Sequence, residues 1–138
     1  MEKTSWGTPV ELTSSEKADV FLRADNDILA TFDGQLIGSY VFFWGQKQER
    51  TPTWFGLLTE NGEETEAVDV MHYIWNGEWP ANRTPSLDSF FLDGQIATDN
   101  IYLTPGASVS AQVSSTDPEG DPLTYRWDVK RESTDLGE

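Results

Sequence analysis

Between Trp44 and Trp54 the chain sets two indoles around a run of amides and charges: Gln46, Gln48, Glu49 and Arg50. An indole face offers apolar contact to the C–H face of a pyranose ring, and its N–H can meet a hydroxyl. Side-chain amides both donate and accept, which matches the hydroxyls of a sugar. If extended backbone continues past Trp44, alternation sends Trp44, Gln46 and Gln48 to one side. Trp54 and Phe55 offer a second platform. The plainer readings stand beside these: a core Trp44, a solvated loop with Lys47–Glu49 or Glu49–Arg50 charge pairing, and Trp54 packing that loop onto the next helix.

Other reactive side chains carry less. Glu60, Glu63, Glu64 and Glu66 could suggest paired carboxylates; the plainer reading is a solvated helix start, where acidic residues favour the positive end of the dipole. His72 is the only histidine. No G-x-S-x-G presents a nucleophile to it, so it reads as structural. The chain has no cysteine, which excludes a disulfide framework and a thiolate zinc site.

Composition narrows the partners. Net charge is −15 over 138 residues. Both sides of Thr84 are acidic, with 6 basic against 14 acidic residues up to it and 3 against 10 beyond it. That disfavours nucleic acid, whose binding rests on Lys and Arg neutralising phosphates. It disfavours an anionic membrane surface as well. No apolar run approaches the roughly 20 residues that span a bilayer. The start of the chain has no signal-peptide pattern. Neutral ligands such as sugars stay open.

The elements that must position these residues follow from periodicity. Thr13-Ser14-Ser15-Glu16 is a capping box. The stripe Ala18, Phe21, Leu22, Ile28, Leu29 predicts a helix ending near Thr31. Residues 36–44 are apolar on both faces and rich in aromatic and β-branched types, which predicts a strand buried on both sides. Thr65 can cap a second helix with Ala67, Val68, Val70, Met71, Ile74 and Trp75 as its apolar side, and Gly77 is placed to stop it. Pro80 to Pro85 reads as a linker, with a glycosylation sequon at Asn82-Arg83-Thr84. Beyond it, short strands are predicted at 101–103, 109–113 and 123–129. Each half looks cut short: one doubly buried strand lacks neighbours, and three strands are about half of a sandwich of about 100 residues. Alternatively, the later strands pair with 36–44 in one small α+β domain.

Residues 39–80, SYVFFWGQKQERTPTWFGLLTENGEETEAVDVMHYIWNGEWP, resemble the closing segment of bacterial glycoside hydrolase (β/α)8 barrels related to the family 2 glycosidases. They are similar to strand eight, its loop and helix eight, with 13–31 similar to helix seven. The resemblance implies an α/β segment of a TIM barrel over 1–84. It also implies a sugar platform at Trp44, with Gln46, Gln48, Glu49 and Trp54 as further substrate-binding residues. Active sites of such barrels lie at the C-terminal ends of the strands. Their two carboxylates follow strands four and seven, and neither has a matching position in this chain, so no catalytic residue is assigned. The partners implied are an oligo- or polysaccharide and the rest of a parent polypeptide, one expected to be exported. A non-catalytic carbohydrate-binding or adhesion module is the alternative.

Residues 85–138, through DPEGDPLTYRWDV at 117–129, resemble the start of an Ig-like or cadherin-like β domain. Asp117, Glu119 and Asp121 alternate as calcium ligands do. Pro122 occupies the sixth position, where an EF-hand needs glycine. Calcium between adjoining domains is the expectation that survives; a turn made by Pro, Gly and Asp is the plainer reading.

Overall fold

The structure is a computed structural model that describes residues 2–32, 34–47, 51 and 55–131. It is mixed α/β, with two helices followed by a small antiparallel sheet.

Helix α1 spans Ser14–Thr31 and starts on the predicted capping box. The Glu16 N–H donates to the Thr13 hydroxyl at 3.2 Å, and the Thr13 N–H donates to Glu16 Oε2 at 2.8 Å. Helix α2 spans Glu66–Asn76 and ends at Gly77, whose φ of 78° is the left-handed conformation that glycine takes without strain. Thr65 precedes α2 without capping it: its hydroxyl donates to the Leu57 carbonyl at 2.8 Å. The two helices pack together, and the core is Leu57, Ala67, Val68 and Met71, with Phe21, Val41, Leu58 and Ile74 against it. The far end of α1 leaves Ile28, Leu29 and Phe32 exposed.

Strands β1 (Ser86–Leu92), β2 (Gln95–Ile96) and β3 (Ala111–Thr116) form an antiparallel sheet in the order β2-β1-β3. Asp93 (φ 50°) and Gly94 (φ 76°) turn β1 into β2, the Asp-Gly pairing that a tight hairpin favours. The ladder between β1 and β3 shifts register between Leu87 and Ser89. There, Ser114 and Thr116 donate to Asp88 Oδ2 at 3.3 and 2.8 Å.

Several expected strands are corrected. Residues 36–44 run without strand pairing, and Ile37, Tyr40 and Phe42 are exposed. An apolar run becomes a doubly buried strand only with partners on both edges and cover on both faces, and no described residue supplies them. Residues 101–103 and 123–129 likewise lie outside any ladder. The strand expected at 109–113 sits two residues later, as β3. Strand β1 was not anticipated, because Asp88 and Ser89 interrupt its apolar pattern. Among the described residues a single three-stranded sheet stands where the start of an Ig-like sandwich was expected.

The segment read as a linker is fastened down. Asp69 of α2, almost fully buried, accepts from both the backbone N–H and the hydroxyl of Thr84, at 2.7 and 2.6 Å. The Ser86 hydroxyl donates to Glu66 Oε1 at 2.7 Å, and the Leu87 N–H donates to Ser15 Oγ at 2.7 Å.

Candidate functional site

Trp44 is held from behind by its neighbour in the chain. The Gly45 carbonyl accepts the N–H groups of Leu57 and Leu58, at 2.9 and 3.1 Å. Leu57 is the most deeply buried core side chain, so the backbone beside Trp44 is tied to the core. Gly45 has φ 143°, a conformation that side chains disfavour, and it redirects the chain there.

The Trp44 indole is half-exposed and stacks on Trp75 of α2, with ring centroids 6.1 Å apart and planes 29° apart. Trp75 is fixed in turn: its Nε1–H donates to Ser39 Oγ at 3.3 Å. Tyr40 stands nearly fully exposed beside the pair. Together with Val41 these rings line an open groove of about 420 Å³. The chemistry on offer is broad aromatic area with polar atoms at its margin, suited to a ligand having one apolar face and hydroxyls at its rim.

No protein-family model matches the chain, and neither does any curated protein.

The remaining predicted site residues divide. Gln46 is half-buried and does not line the groove; its Cα lies against Gly56. Gln48, Glu49 and Trp54 lie outside the described residues. Trp75 is the component that sequence reading assigned elsewhere, to the apolar side of the second helix. Its place in the last turn of α2, beyond the core residue Met71, was the available signal. Phe42 and Phe55 add an edge-to-face pair at 5.2 Å next to the groove residue Val41.

The acidic candidates are occupied locally. Asp117 Oδ1 accepts the N–H groups of Glu119 and Asp121, both at 2.9 Å, so it builds the turn. Glu119 receives the Arg83 backbone N–H at 3.0 Å and the Arg83 Nε–H at 2.8 Å. These two donations, the backbone one foremost, hold the Glu119 carboxyl below its ordinary value. Among the described residues no three His, Cys, Asp or Glu side chains converge as a metal site.

Glu60 reaches Lys130 at 3.5 Å, and Glu63 accepts from the Thr59 hydroxyl at 2.7 Å, so these carboxylates serve separate partners; with Glu64 they precede α2, which begins at Glu66, instead of forming its first turn. His72 donates from Nδ1 to the Glu78 carbonyl at 2.9 Å and closes the chain against α2.

Proposed function

We propose that this chain is the C-terminal part of a carbohydrate-active glycoside hydrolase and contributes an aromatic sugar-binding wall. The observation that carries the reading is the half-exposed Trp44 stacked on Trp75 beside the open face of Tyr40. Exposed aromatic surface of this kind is costly to leave in water and marks a binding surface. The acidic balance disfavours an anionic ligand and leaves neutral ones open.

The exposed apolar run 36–44 supports the barrel part of the reading. As the last strand of a barrel it gains a partner on each edge, and Ile37 and Phe42 gain cover. Hydrolysis in such barrels needs two carboxylates, a nucleophile and an acid/base. In this reading both belong to the preceding part of the parent, and the chain alone binds without cleaving.

A second reading is a non-catalytic carbohydrate-binding module. It is favoured by one point: Tyr40, Trp44 and Trp75 all come from this chain, so the wall needs no other polypeptide.

Affinity electrophoresis through soluble neutral polysaccharides, with aryl-glycoside turnover measured in parallel, tests the proposal. Retardation of the chain, weakened by Trp44→Ala, with no turnover, is the expected result. Turnover by the pure chain contradicts it, and so does migration unaffected by every polysaccharide. Cooperative unfolding of the isolated chain together with retardation favours the second reading.

A further inference from the structure

A second aromatic corner lies away from Trp44, built by residues far apart in sequence. Residues 3–9 form a small hairpin: Lys3 bridges Pro9, and the Thr4 N–H donates to the Thr8 carbonyl at 2.8 Å. Trp6 sits at its tip, before Gly7 at φ 91°. The hairpin leans on residues 99–102. The Ser5 N–H donates to Asn100 Oδ1 at 2.6 Å, and the Ser5 and Tyr102 hydroxyls share a hydrogen bond. Trp6 and Tyr102 meet edge to face, with centroids 5.7 Å apart and planes at 78°.

These contacts position the two rings without burying them: Trp6 is 50% exposed and Tyr102 76%. A pair whose role is only to staple two segments gains by burying its apolar area, at about 25 cal/mol per Å². Beside Trp6 opens a cleft of about 330 Å³, with Thr4, Thr8, Asp99 and Ile101 in its wall. Asn100 spends its carbonyl oxygen on Ser5, which leaves its amide nitrogen to donate.

We infer that the Trp6–Tyr102 corner is a separate binding site for neutral saccharides. A pyranose ring lays its C–H face on an aromatic wall, while its hydroxyls reach the Asn100 amide, the Thr8 hydroxyl and the Asp99 carboxylate; the Thr4 hydroxyl is spent inside the hairpin. A phosphate or uronate is disfavoured by the charge of −15 and by the carboxylate of Asp99 in a wall where, among the described residues, no Lys or Arg stands. The inference does not depend on the Trp44 groove.

Amide and indole NMR titration of the ¹⁵N-labelled full chain tests it. The probes are cellopentaose, xylopentaose and mannopentaose, with choline as a cationic comparison. Saturable shifts at the Trp6 indole N–H and the Asn100 side-chain amide are expected with at least one pentasaccharide. Trp6→Ala weakens that binding about tenfold, with α2 resonances unmoved. Trp44→Ala leaves these shifts in place. If Trp6→Ala unfolds the chain, Asn100→Ala is the variant to read, with the same loss expected. The inference is overturned if the sugars shift only signals around Trp44 and Trp75, if they shift nothing, or if choline alone moves Trp6.

Discussion

Gly56 packs so closely on Gly45 that a Cβ built on it would lie 3.0 Å from the Gly45 carbonyl oxygen. It would also lie 3.2 Å from Gln46 Cα and from the Leu58 carbonyl oxygen. All three neighbours are backbone atoms, which cannot swing aside as a side-chain end can. The same carbonyl receives Leu57 and Leu58, so this approach sets where Trp44 emerges.

Gly56→Ala is therefore expected to cost about 1–3 kcal/mol, the usual range for overpacking. It also displaces Trp44 from Trp75 and weakens saccharide binding. Chemical denaturation and affinity electrophoresis of the variant check both. Unchanged stability and unchanged retardation would show that the close approach does not position Trp44.

Asp69→Ala removes a buried carboxylate that two Thr84 donors use. The expected loss is about 2–3 kcal/mol, because hydrogen bonds to a charged acceptor are among the stronger ones and Thr84 is left part-buried with unmet donors. Thr84→Val removes the hydroxyl donation and keeps the backbone one, so it costs less. Denaturant midpoints of the two variants give the comparison, and equal losses would refute the assignment.

The helices were legible in the sequence because their signals are local. A capping box at Thr13 and a stop at Gly77 need only neighbouring residues, and α1 and α2 have the bounds those signals give. Strands depend on partners far along the chain. The run 36–44 has the composition of a buried strand and no described partner, whereas SLDSFFL pairs on both edges despite its polar middle. At the candidate site, the exposure of Trp44 was legible from its place before Gly45. Trp75 reads as core, because helical spacing puts a core tryptophan and a platform tryptophan on the same stripe; only its place in the last turn of α2 hints otherwise. The corner of Trp6 and Tyr102 depends on a contact between residues 3–9 and residues 99–102, far apart in sequence, which no local pattern encodes.

The Arg83–Glu119 contact predicts a dependence on pH. The folded-state value of Glu119 is lowered, so its contribution to stability is present above the unfolded value, about 4.3 for a glutamate. It disappears as the pH falls through the folded value. Wild type should exceed Glu119→Gln in thermal midpoint at neutral pH, and the gap should close in acid. A gap that stays constant, or widens, between neutral pH and pH about 3 would rule out the assignment.

The proposed function stands on sugar binding at the Trp44–Trp75 face. Indole N–H resonances recorded during titration with neutral oligosaccharides test it most directly. Saturable shifts are expected at Trp44 and Trp75 and disappear in Trp44→Ala, while α1 keeps its native amide pattern. Oligosaccharides that bind the chain and leave both indoles unmoved would contradict it.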